Sequence, residues 1–171
     1  VRILAMARIG SHVPNWDPSS PDRTQLSFVD VRRAYFNAKI DQDEDPVYVS
    51  LPPEDGDSEV MCARLLRHMC GTRRAADGWQ GEYPSLMVKL GFRQGDSCPN
   101  VLHHPEKCIV CSVHGDDFTS SGPKTSLDWL ETAIAQEYEI SIGPRLGPGP
   151  GDAKEGRALN RVIRWYESHL E

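Results

Sequence analysis

The apolar residues of this chain come in short runs, and that limits the fold more than any other feature. LSFVDV (residues 26–31), VYVSLP (47–52), VMCARLLR (60–67), VLHH (101–104) and KCIVCSVH (107–114) are each too short for a helix of ordinary length and are closed by turn-forming residues. They read as strands. Pro52, Pro53, Asp55 and Gly56 lie between the second and third, which predicts a hairpin, and residues 104–107 and 115–117 sit at turns between later strands. Helical spacing is confined to a few stretches. Trp79, Tyr83, Leu86, Met87 and Leu90 fall on one stripe, with Pro84 expected to kink or restart that helix and Gly91 to stop it. Leu127, Leu130, Ile134 and Tyr138 mark an amphipathic helix over 126–138, with a strand expected to start at 139–142. VRILAMARI at the start reads as a helix ended by Gly10 and the 14–21 loop, and RRAYFNAKI (32–40) as a short helix with Ala34, Tyr35 and Ala38 near one face. The Gly- and Pro-rich residues 143–151 form a loop, and ALNRVIRWYE is expected as a last strand or a strand leading into a helix. The class is α+β, with a small, mainly antiparallel sheet and packed helices.

At 171 residues the chain can bury one real core, and a single compact unit is expected. No apolar run reaches the eighteen or so residues of a membrane span, and the N-terminus lacks signal-peptide character, so an intracellular protein, cytoplasmic or nuclear and not secreted, is expected. The first residue is Val1, and the opening reads as helix interior, as in a segment cut from a longer polyprotein. Five cysteines at irregular spacing do not make a disulfide framework. Cys108 and Cys111 form one C-x-x-C, but side chains three apart on a strand point to opposite faces, so buried thiols are the expectation rather than a zinc site.

The net charge of -6 is uneven. Residues 41–59 hold eight Asp or Glu and no Lys or Arg, which leaves the rest of the chain at +2. Arg64, Arg67, Arg73, Arg74, Lys89 and Arg93 give residues 61–93 a local basic excess that can meet phosphates or simply be solvated.

The chemistry-bearing pattern is an aspartate closing an apolar strand, Asp30, and a later pair, Asp116-Asp117, at a hairpin tip. Carboxylates at strand ends of one sheet can converge on divalent cations, and Mg²⁺ needs few protein ligands because phosphates and waters complete its octahedron. Acidic doublets at turns are also common as solvated groups. His103, His104 and His114 are scattered over strands and turns, where surface or partly buried imidazoles are expected rather than metal ligands.

In this context the chain resembles the reverse transcriptases of copia-type retrotransposons along most of its length and in the family's order. VRILAMARI is similar to the helix before the first catalytic strand. FVDVRRAYFNAKI is similar to D-V-K-x-A-F-L-N-G-x-L, and VYVSLPPE to Y-M-x-Q-P-x-G-F. CGTRRAADGW followed by LGFRQGDSCPNVL resembles Y-G-L-K-Q-A-P-R-x-W and L-G-F-x-x-S-x-x-D-P-x-L-F, and SVHGDDF occupies the place of the Y-V-D-D hairpin. The resemblance implies an incomplete reverse transcriptase domain: a fingers-proximal helix and loop over 1–25, a palm over 26–171 with part of the fingers interleaved, and no thumb. It implies RNA-directed DNA synthesis on an RNA or DNA template with primer, from deoxynucleoside triphosphates, with two Mg²⁺ or Mn²⁺ ions. The rest of the polyprotein would be a partner, and a membrane would not.

It further implies that Asp30 and Asp116 bridge the two ions, that Asp117 supports them, and that the backbone carbonyl of Val31 adds a ligand. Arg33, Ala34 and Tyr35 would face substrate, with Tyr35 as a steric gate against a 2′-hydroxyl, although spacing alone suits a packed helix aromatic. Arg74 stands where the family has Gln beside the incoming nucleotide, and His114-Gly115 replaces Tyr-Val before the acids, losing a β-branched packing residue. These departures keep a second expectation open: an inactive transposon relic, or a non-catalytic interaction domain on the same scaffold with residues 41–59 as its docking surface.

Overall fold

The computed structural model describes residues 17, 19–40, 44–55, 61–72 and 74–166. The helix expected at the N-terminus lies outside them, as do Arg73 and residues 56–60. Two compact units divide the chain: Val1–Arg32 with Pro84–Glu171, and Arg33–Tyr83.

The first unit is built on an antiparallel sheet of six strands. They are β1 (Thr24–Val31), β4 (Arg93–Gly95), β5 (Cys98–His104), β6 (Ile109–His114), β7 (Asp117–Pro123) and β8 (Ile140–Ile142), in the order β4-β5-β6-β7-β1-β8. β1 therefore lies inside the sheet, which is why its run from Thr24 to Val29 is buried throughout instead of alternating. The helix Lys124–Glu137 packs across β7, β1 and β8 with Leu127, Leu130, Ala133 and Ile134 buried. Its orphan N-terminal donors are met from a distance: the Asp22 carboxylate accepts from the Thr125 N–H and hydroxyl, both at 2.8 Å. Ser27 donates to Glu131 of this helix at 2.5 Å, which fixes the odd-numbered face of β1 as the helix side. Strand alternation then sends Leu26, Phe28 and Asp30 to the other face. There Leu26 and Phe28 join Leu146, Ala158, Ile163 and Trp165 in a core cluster.

Residues 155–164 differ from expectation. They form a hairpin, β9 (Glu155–Ala158) with β10 (Arg161–Arg164), because Leu159 and Asn160 both take positive φ, 51° and 58°, as a type I′ turn demands. The loop before it is tied down by charge. Asp152 accepts from Arg23 Nε at 2.6 Å, from Gln25 at 2.7 Å and from the Gly149 N–H at 2.8 Å, and Arg145 reaches Glu131 at 2.7 Å.

The second unit carries the short antiparallel pair β2 (Tyr48–Ser50) and β3 (Cys62–Arg64), the hairpin expected from the turn residues at 52–56. RRAYFNAKI does not reach a full α-helix: only Ala34–Asn37 coil, as one 3₁₀ turn entered through Arg33 at φ 53°. The helix α1 (Ala75–Lys89) runs on through Pro84 without a restart there. Its end follows the sequence signal closely. Gly91, at φ 95°, donates to Val88, and Phe92 donates back to Met87 with both side chains buried, which is the Schellman arrangement. The helix Lys124–Glu137 is α2 below.

Candidate active site

The register of the central strands assembles the acids. β1 and β7 run antiparallel with Asp30 opposite Asp117, and β8 places Ser141 on the other side of Asp30. Asp116 lies one residue before β7, and its carbonyl accepts the Val31 N–H at 2.9 Å. The two sequence signals, far apart in the chain, thus meet at one end of adjacent strands.

β6 and β7 are joined by Gly115-Asp116 alone, with His114 paired to Asp117. Gly115 has φ 63° and Asp116 is not in the positive-φ region, the pattern of a type II′ turn, which needs glycine at its first central position. Glycine at position 115 therefore serves this turn.

Asp116 is exposed, and Asp30 and Asp117 are half-buried. Partial burial lifts the Asp117 carboxyl above its ordinary value, the charges of Asp116 and Asp30 lift it further, and His114 pulls the other way. Such a cluster of like charges at strand ends is held in place by backbone hydrogen bonds, at a cost that a cation between the acids would relieve. The donors are carboxylate oxygens, which suit the hard ions Mg²⁺ and Mn²⁺. As the side chains stand, no group of three His, Cys, Asp or Glu among the described residues is arranged to hold a metal ion.

Beside the acids, a cavity of about 230 Å³ is lined by Asp30, Asp117, Ser141, Phe28, Gly143 and Arg157, among others. Ser141 and Arg157 were not singled out by sequence. Both sit on short strands whose positions depend on pairing with distant segments, and no local periodicity announces that.

Of the other expected site residues, Val31 is wholly buried, and its N–H is spent on Asp116. Arg33, Ala34, Tyr35 and Arg74 belong to the second unit: Arg33 exposed, Ala34 buried, Tyr35 half-buried, and Arg74 exposed and paired with Glu44 at 3.5 Å. Of the three histidines singled out, two lie at the surface as expected and His104 is buried further than expected. His104 is buried edge-on between the Phe92 and Trp129 rings, its Nδ1 accepting the Lys107 N–H at 3.3 Å, while His103 and His114 are exposed. The expectation of buried thiols holds for Cys111 alone: Cys62, Cys70 and Cys108 are exposed and Cys98 is half-buried, because Cys108 lies in the turn before β6, at φ 51°, and not on the strand.

No protein-family model matches the chain, and no curated protein matches it either.

Proposed function

We propose that this chain is the palm-centred part of an RNA-directed DNA polymerase of the copia type, with Asp30, Asp116 and Asp117 as its catalytic carboxylates. The observation that carries the reading is the strand register: Asp30 near the end of β1 pairs with Asp117, which opens β7, and Asp116 occupies the two-residue turn that leads from β6 into β7. The motif order from FVDVRRAYFNAKI to SVHGDDF supplies the polymerase class.

In this reading the carboxylates of Asp30, Asp116 and Asp117 would hold two Mg²⁺ or Mn²⁺ ions, which would supply activation of a primer 3′-hydroxyl and neutralisation of the leaving pyrophosphate, while the fully buried Val31 has no carbonyl surface open to an ion. The 3′-oxygen forms a bond to the α-phosphorus of a deoxynucleoside triphosphate while the α–β phosphoanhydride bond breaks, and the hydroxyl proton passes to solvent. The protein's part is positional. Backbone bonds across β1 and β7 hold the carboxylates in one place through the reaction.

The test is primer extension on poly(rA)/oligo(dT) with Mg²⁺ or Mn²⁺, using the chain alone and the chain completed with family-like fingers and thumb segments, each beside Asp116→Asn. Extension that vanishes in Asp116→Asn supports the polymerase; no extension in the completed protein leaves the relic or scaffold reading.

A further inference from the structure

The register that pairs the acids also sets one uncharged residue beside them. Asp30 stands opposite Asp117 of β7 and opposite Ser141 of β8, and directly paired residues of antiparallel strands project from the same face of a sheet. Ser141 therefore shares a face with both carboxylates, and with them it lines the cavity of about 230 Å³. Its hydroxyl oxygen is already engaged. Arg32 donates from Nε to Ser141 Oγ at 2.9 Å and from Nη1 to Glu139 Oε1 at 2.8 Å, and the Arg32 N–H bonds the Glu139 carbonyl at 2.8 Å. Arg32 and Glu139 are both more than half exposed, so their ion pair adds little stability. Its effect is orientation: Glu139 fixes the planar guanidinium fork, and the fork fixes the serine. A guanidinium has donors and no acceptor, so the serine proton points away from Arg32. The acceptor across the ladder on that face is the Asp30 carboxylate.

We propose that Ser141, oriented by Arg32, is a positioning residue for Asp30: its hydroxyl donates to one carboxylate oxygen and leaves the other turned toward a divalent cation. The inference rests on the reading of the three aspartates as metal ligands. A ligating carboxylate kept in place by such an outer partner loses about 10–100-fold in metal affinity when the partner is removed. The rival role for Arg32 is plain charge. A cation two residues from Asp30 repels an incoming Mn²⁺, so an arginine acting through charge alone would tighten binding when removed. One acting through Ser141 would loosen it, and the sign separates the two.

The experiment titrates the full chain with Mn²⁺ and counts the free ion by electron paramagnetic resonance, with thermal melting to verify folding. Asp30→Asn identifies the binding that belongs to this site. Ser141→Ala is expected to weaken that binding about tenfold, and Ser141→Thr, which keeps the hydroxyl, to leave it near the parent value. Arg32→Ala should weaken it too, yet add no loss in the Ser141→Ala background, as for residues acting through one another. Unchanged affinity in Ser141→Ala, tighter binding in Arg32→Ala, a further loss in the double variant, or no Asp30-dependent Mn²⁺ binding by the parent chain would each overturn the proposal. If Arg32→Ala does not fold, the two Ser141 variants decide alone. Primer extension by the completed protein reports separately on the polymerase. The expected Mn²⁺ pattern without extension would refute the polymerase and leave the positioning intact; extension with Mn²⁺ affinity unmoved by Ser141→Ala would do the reverse.

Discussion

A valine in place of Gly115 should harm this protein. The residue sits at φ 63° in a two-residue turn, and a Cβ there would meet no atom within 4 Å, so any cost is one of backbone conformation and not of crowding. A non-glycine residue held in such a region costs about 1–3 kcal/mol, and the reduced freedom of the unfolded chain returns about 0.4–1 kcal/mol. Gly115→Ala is therefore expected to destabilise by about 1–2 kcal/mol, and Gly115→Val by more, because a β-branched residue tolerates positive φ worst. In a protein of this size that corresponds to a fall in Tm of a few degrees, about 2–4 °C per kcal/mol. Urea denaturation checks the ranking: the midpoints should fall in the order Gly, Ala, Val at unchanged slope. A Gly115→Val protein as stable as the parent would refute the argument, since no steric excuse is available. The turn also aims Asp116 and Asp117, so the same substitutions should weaken any metal-dependent activity beyond what their stability accounts for.

Asp152 offers a test in pH. Burial pushes its carboxyl up, but the Arg23 hydrogen bond, the Gly149 N–H and the remaining Arg23 and Gln25 contacts outweigh that and hold it below its ordinary value. A depressed carboxylate contributes stability above its unfolded value of 3.8 that is lost as pH falls through the folded one, so acid melting should be shallower in Asp152→Asn, which at neutral pH should be destabilised by about 3–5 kcal/mol. Cys111, its thiol pushed up to about 12 by burial, should resist a thiol reagent in the folded protein while the exposed Cys62, Cys70 and Cys108 react, and labelling of Cys111 without unfolding would contradict its packing. Gly78→Ala places a methyl against the His68 ring and should cost about 1–3 kcal/mol; a neutral result would mean that the imidazole moves freely.

Much of the secondary structure was legible because it is governed locally. The stripe Leu127, Leu130, Ile134, Tyr138 became the buried face of α2, Gly91 ended α1 as its conformational freedom allows, and the apolar run ending in Asp30 became an inner strand. The failures have tertiary causes. Pro84 removes a single donor from α1, which still continues with Tyr83 and Met87 buried on either side. The 3₁₀ turn at Ala34–Asn37 is short because Arg33 and Ala38 leave helical conformation at its two ends. The β9–β10 turn was missed because Leu159 carries no turn signal, and strand β4, at Arg93–Gly95, has no apolar pattern because all three residues are exposed. At the candidate site, the three aspartates were visible as residue types in sequence, but the pairing of Asp30 with Asp117 and the presence of Ser141 and Arg157 beside them depend on long-range register that no local spacing encodes.

The first unit is discontinuous: its chain leaves after Arg32, one residue past β1, and returns at Pro84. What fixes Asp30 is its ladder with β7 on one side and β8 on the other, and the excursion adds the entropy of closing a loop. That entropy grows slowly, by about 0.6 kcal/mol for each doubling of length. A change of length between residues 33 and 74 therefore alters the cost of closing that loop only a little and leaves the β1–β7 register to the strands themselves.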